Sequence, residues 1–145
     1  MTCRILYALL PFFLISCGAS NDEKAALQTA QNFCNAFLNL DFLEADKYCT
    51  TDSHIWIENY ASVLDQRDAD SIRKFKYKPE FTLTDLCISD SVGTVKCKVV
   101  HPIVFDSIGI PASQSEETYH YTLLLKKESD EKWLIKMEGP LRNEK

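Results

Sequence analysis

Few side chains in this chain have the type and spacing for chemistry. Asp85 stands among Phe81, Leu83 and Leu86 in a stretch of period-2 alternation. A carboxyl buried there would be raised toward the working range of a general base. His120 lies between Tyr119 and Tyr121, where an imidazole could serve the same end. With Trp56, Tyr60 and Tyr121 these two form a candidate pocket set. The competing reading turns both titratable groups outward: Asp85 on the solvent side of an edge strand, His120 on the face opposite its tyrosine neighbours. His54, near a helix start, and His101, before Pro102, read as surface or junction residues. Ser71-Ile72-Arg73-Lys74 has Ser-x-x-Lys spacing, but no Ser-Asp-Asn or Lys-Thr-Gly follows, so the match is read as chance. There is no phosphate loop, dinucleotide fingerprint or nucleophile elbow. The cysteine spacings are unlike paired zinc ligands. No catalytic set, metal or cofactor is assigned.

One cluster is unusual in a chain of net charge −5: Arg73, Lys74, Lys76 and Lys78 interleave with Phe75 and Tyr77. It reads either as a patch for an anionic ligand or glycan, or as an edge strand whose alternating lysines discourage pairing. The acidic balance itself argues against nucleic acid and acidic membrane surfaces as partners.

The chain opens with Arg4 and then an apolar run, Ile5 to Ile15, the layout of a secretory signal peptide. The run is interrupted by Pro11 and falls short of the about 20 residues a membrane span needs. Its end, Leu14-Ile15-Ser16-Cys17, resembles the lipobox of bacterial lipoproteins. That resemblance implies cleavage before Cys17 and a diacylglyceryl group on its thiol, with acyl chains of the palmitate class. One acyl chain anchors marginally and two or more anchor stably. Residues 1–16 are then a removed leader, 17–23 a lipidated tether, and 24–145 one domain. Asn21-Asp22-Glu23 looks like the short acidic run that directs some lipoproteins to the cell surface. The expected location is the bacterial envelope, on the outer membrane, with the periplasmic and surface faces both open.

An exported chain meets an oxidising compartment, and Cys34, Cys49, Cys87 and Cys97 remain once Cys3 and Cys17 are set aside. The elements that hold them suggest a pairing. Ser20 and Glu23 have capping-box spacing, and Ala26, Ala30, Phe33 and Phe37 recur at helical period to about Asn39. Asp41 and Glu44 repeat the capping spacing for a short second helix, so a turn near Leu40 brings Cys34 toward Cys49. A third helix, capped by Asp52 or Ser53, carries Trp56, Tyr60, Val63 and Leu64 to about Gln66. Asp68–Lys74 either extends it or forms a separate turn.

After Pro79 the period becomes 2. Strands are expected over Phe81–Leu86, from Val95 to about Phe105, over Tyr119–Leu125 and over Trp133–Met137, with a further short one near Phe75–Tyr77. A hairpin tip at Ser91-Val92-Gly93 would set Cys87 opposite Cys97, within disulfide reach. The expected bridges are therefore Cys34–Cys49 and Cys87–Cys97. Helices first and an antiparallel sheet afterwards make an α+β fold.

Phe33 to Ala45 resembles the opening helix pair of the nuclear-transport-factor-2-like superfamily, and Leu123 to Ile135 resembles its closing hairpin. The nearest branch is that of small bacterial lipoproteins of unknown function. The resemblance implies a strongly curved sheet wrapped around a long helix, a cone with a pocket, and dimers among its relatives. Three functions follow as expectations. The first is a non-catalytic, lipid-anchored module that binds a small apolar ligand or a protein partner. The second is a scaffold or dimerisation module with a filled pocket. The third is an isomerase, cyclase or dehydratase of the ketosteroid-isomerase kind.

Overall fold

The structure is a computed structural model that describes residues 20–105 and 109–144. The leader, the Cys17 acylation site and residues 18 and 19 of the tether lie outside the described residues. Helix α1 (Asn21–Leu38) starts at the expected capping box: Ser20 Oγ accepts the Glu23 N–H, and the Glu23 carboxylate accepts the Ser20 N–H. It ends in a Schellman turn, with Leu40 N–H donating to the Phe37 carbonyl and Asp41 N–H to that of Ala36. The left-handed position of that turn is held by Leu40, at φ 63°, where glycine is usual. A side chain there costs about 1–2 kcal/mol. Asp41 then caps α2 (Phe42–Asp46) through the Glu44 N–H.

A 3-10 turn, Thr51–Ser53, leads into α3 (His54–Val63). Ser53 stands at the cap position, but its hydroxyl is used elsewhere. It is fully buried, lies 2.7 Å from Thr50 Oγ1 and accepts the Met137 N–H at 2.8 Å. The third helix is shorter than its periodicity suggests. Asp65 forms a capping box with Asp68, and this starts a separate helix, α4 (Gln66–Ile72). The buried Asp68 carboxylate also accepts the Ala112 N–H at 2.8 Å, which ties α4 to a distant loop.

Strands β1 (Glu80–Ser89), β2 (Val92–Val100), β5 (Tyr119–Ser129) and β6 (Lys132–Lys136) form an open antiparallel sheet in the order β1-β2-β5-β6. Between β2 and β5 lie two short strands, β3 (Ile103–Val104) and β4 (Ser113–Gln114), which pair with each other. The expected long strand from Val95 to Phe105 is thus broken. His101 adopts φ 56° just before Pro102, which removes a ladder donor. Near Phe75–Tyr77 the chain is a bend rather than a strand.

The sheet presents Val95, Cys97 and Val99, Leu123 and Leu125, and Trp133 and Ile135 on one face, all nearly inaccessible to solvent. Across that face lies α1, contributing Ala26, Ala30, Phe33 and Cys34. The alanines let the helix approach closely, and each large side chain buried here contributes about 1.5–3 kcal/mol. Among the described residues no helix is long and apolar enough to cross a membrane.

Strand β1 carries a bulge between Thr84 and Cys87, with Asp85 at φ 54°. The bulge shifts the register, so Cys97 faces Leu83 and Cys87 faces Thr94. The hairpin tip is Asp90-Ser91, with Gly93 inside the ladder opposite Ile88. This overturns the expected Cys87–Cys97 bridge. The Cys34–Cys49 bridge is absent as well. The Cys49 thiol donates to the Ala45 carbonyl of its own turn, while Cys34 faces the sheet. The thiols of Cys34, Cys49 and Cys97 are free. Cys87 is disulfide-bonded.

The N-terminal end of α1 is fastened to the last hairpin. Trp133 Nε1 donates to Asp22 Oδ1 at 3.1 Å and Lys127 Nζ to Asp22 Oδ2 at 2.8 Å, while Thr29 Oγ1 donates to the Trp133 carbonyl. The Lys127 ammonium and the Trp133 indole N–H hold the Asp22 carboxyl below the usual aspartate value. A carboxyl with a lowered folded-state pKa stabilises the fold above its unfolded value, about 3.9, and loses that contribution as pH falls through the folded value. The urea midpoint of the wild type should therefore exceed that of Asp22→Asn at pH 7, and the gap should close below about pH 4. A gap unchanged across an acid series would show that Asp22 does not couple folding to protons.

Candidate functional site

The residues singled out for chemistry do not converge. Asp85 projects from the bulge into solvent, 3.9 Å from Lys96, so it is an exposed ion-pair partner and not a buried base. His120 is exposed on the outer face of β5, with its backbone bonded to Asn143 and Glu144 of the C-terminal segment. Trp56 is half-buried and packs on the core from α3. Tyr60 and Tyr121 do meet. Both line a cavity of about 310 Å³ between the helices and the inner face of β5.

Three parts of the chain build that cavity. The C-terminal turn of α1 and the start of α2 supply Phe37, Leu40 and Phe42. Strand β5 supplies Tyr119 and Tyr121 at alternate positions, continuing the inward row of Leu123 and Leu125. The segment from Pro102 to Phe105 and the pair Pro140-Leu141 complete the wall. The rings are mutually oriented: Phe37 is edge-on to Tyr60 at 4.9 Å and to Phe42 at 5.5 Å, and Tyr119 is edge-on to Tyr121 at 6.2 Å. Such pairs favour one arrangement by about 0.5–1.5 kcal/mol each. The strained Leu40 belongs here: its left-handed backbone aims a leucine side chain at the cavity, which a glycine would leave open.

The polar groups of the cavity are phenols. Tyr60 Oη accepts the Leu141 N–H at 2.8 Å, which fastens the C-terminal segment over the opening. Tyr119 and Tyr121 make no hydrogen bond through their hydroxyls to any described residue. Burial, aided by the neighbouring Tyr60, Tyr119 and Cys97, raises the Tyr121 phenol far above its usual value, and burial raises Tyr60 too. Both stay protonated near neutral pH and act as hydrogen-bond donors. The described lining contains no carboxylate, imidazole or ammonium, so it offers no group that exchanges protons near pH 7.

Beneath this cavity Cys97 stands opposite Tyr121 in the β2–β5 ladder, and its sulfur lies 3.7 Å from that of Cys34 on α1. The contact with Cys97, together with burial, pushes the Cys34 thiol well up. Burial and the Asp46 charge push Cys49 up to about 12.

The basic cluster occupies the connector between α4 and β1. Arg73, Lys74, Lys76 and Lys78 are all exposed, with Arg73 paired to Asp70 at 3.5 Å. Tyr77 stacks on His101 at 4.4 Å and Lys76 Nζ sits 5.0 Å above the Tyr77 ring. The lysines therefore ride on a loop, not on an edge strand. His54 pairs with Asp46, half-exposed at the start of α3. Among the described residues no three His, Cys, Asp or Glu side chains converge as metal ligands would.

Sequence reasoning missed Phe37, Leu40, Phe42 and Leu141 as site residues. Phe37 and Phe42 carry ordinary core periodicity, Leu40 sits in the expected turn between the first two helices, and Leu141 lies in a short tail with no pattern of its own. The tail depends on Tyr60. Tyr60→Phe removes the acceptor for the Leu141 amide and should destabilise the domain by about 1–2 kcal/mol in urea unfolding. Amide exchange at Leu141 should accelerate more than at β5, and equal acceleration at both would contradict a local clasp.

No protein-family model, curated protein or solved structure matches the chain.

Proposed function

We propose that this chain is a lipid-anchored bacterial envelope protein whose α+β domain binds a small apolar ligand that carries a hydrogen-bond acceptor. The observation that carries the reading is the cavity: about 310 Å³, walled by aromatic and aliphatic side chains, with phenol hydroxyls as its only described side-chain polar groups. That is the small end of the ligand-pocket range, and apolar walls with a few placed donors are its usual make-up. A carbonyl or ether oxygen facing Tyr121 would gain the hydrogen bond that no described side chain supplies. The absence of a proton-exchanging group in the described lining favours retention of a ligand over its conversion.

The anchoring part of the proposal rests on the Leu14-Ile15-Ser16-Cys17 stretch, which supports acylation at Cys17 and residence on the outer membrane. The architecture is proposed to be that of the nuclear-transport-factor-2-like cone. A long α1 laid across one face of an antiparallel sheet, with a pocket at one end, supports this. The strong curvature and the tendency to dimerise belong to the same proposal.

Native mass spectrometry of the mature protein purified from its own envelope tests both parts. The expected spectrum shows a chain beginning at Cys17 with its acyl chains and one retained small molecule. Val104→Trp, which places an indole in the cavity wall, should lower ligand occupancy at least tenfold while leaving the acyl mass unchanged. A ligand-free wild type that also fails to bind a fatty acid or anilinonaphthalene probe at tens of micromolar would overturn the binding reading. A Cys17→Ala variant processed to the same mature form would overturn the anchor.

A further inference from the structure

We propose that Cys34 and Cys97 are a disulfide site that joins α1 covalently to the central strand β2. The two residues are 63 positions apart in sequence, yet their sulfurs lie 3.7 Å from one another in the core. An S–S bond measures about 2.05 Å, so closure asks each sulfur to move about 0.8 Å. The pairing is selective: the Cys49 thiol is turned to the Ala45 carbonyl, and Cys87 lies beyond the β1 bulge, opposite Thr94. The inference stands apart from ligand binding, since it concerns the core beneath the cavity.

The step balances with a disulfide as oxidant, either a small-molecule disulfide or that of a thiol-oxidase protein. One cysteine of the pair, as thiolate, attacks a sulfur of the oxidant and expels a thiolate. The sulfur of the other then attacks this mixed disulfide, loses its proton and expels the second thiolate. Two protein thiols become one disulfide, and the oxidant disulfide becomes two thiols. Cys34 is 3 % and Cys97 2 % exposed, so an oxidant cannot reach them in the closed domain. Exchange takes place while the sheet is still open from α1, during folding, and the closed core then shields the bond from reduction.

The bond has a consequence for the cavity. Phe37 follows Cys34 by one helical turn and Tyr121 stands opposite Cys97, so the bridge ties α1, which carries one cavity wall, to β2, the ladder neighbour of the strand that carries the other.

The test uses the full chain, reduced and unfolded, then refolded in a mixture of reduced and oxidised glutathione. Remaining thiols are alkylated after unfolding, and the product is mapped without reduction. The expected result is a peptide pair linked through Cys34 and Cys97, 2 Da lighter than the two free thiols, with Cys49 alkylated. The oxidised form should melt higher than the reduced form, by on the order of 10 °C for a loop of this length. Reduced, already folded protein should oxidise more slowly than the refolding chain, and faster in sub-denaturing urea. Alkyl label on both Cys34 and Cys97, or a bridge from either to Cys49, overturns the proposal. Cys97→Ala, close in volume, should show the melting temperature of the reduced wild type under either redox condition. Should it fail to fold, mapping of the wild type decides alone.

Discussion

The burial of Trp133 is the constraint on which the rest of the structure depends. Its ring is 1 % exposed in the core, its indole N–H is satisfied by Asp22, and its backbone carbonyl takes the Thr29 hydroxyl. A buried indole without a partner would cost the free energy of a lost hydrogen bond. The position of α1 is therefore set twice, by packing and by polar geometry, at the hairpin that closes the sheet. The same short strand is held on its other side: Ile135 exchanges backbone hydrogen bonds with Tyr48 and Thr50. Strand β6 thus sits between β5 and the helical half of the chain, which is why two sequence halves of different period make one core.

With α1 fixed near Trp133, its far end cannot also cover the start of β5. The space left there becomes the aromatic cavity, roofed by the Pro102–Phe105 segment and by Leu141. Its chemistry follows from position. Phenols enclosed by aromatic rings are neutral, so they can orient an oxygen but cannot take a proton from carbon near neutral pH. Leu40 shows the local cost of this wall, because a glycine would relax the turn and lose the side chain.

Much of the helical half was legible in the sequence because its signals are local. The capping box at Ser20–Glu23, the Asp41 cap on the Glu44 N–H and the Ala26–Phe33 stripe depend on neighbours within one or two turns. The inward faces of β2 and β5 were legible for the same reason. What failed was non-local or one residue wide. Asp85 in the left-handed region slides one strand past another, and with that slip a geometrically plausible disulfide disappears. The two sulfurs that do approach one another, those of Cys34 and Cys97, belong to residues 63 positions apart, which periodicity cannot register. Asp65 ended α3 early because its side chain was free to cap the next helix. Of the candidate pocket residues, Tyr60 and Tyr121 lay on clear inward faces, whereas Asp85 and His120 were included for their chemistry alone.

The clamp at Asp22 also sets how the domain answers tension. Whatever precedes Ser20, a pull on it enters at the first turn of α1, beside the paired Lys127 and Trp133 contacts. An edge strand pulled from its end unzips one hydrogen bond at a time. Here the load meets the ammonium, the indole and the interlocked helix face together, so detachment is a concerted rupture. A domain loaded through such a point resists a pull at its N-terminal end better than one loaded through an edge strand.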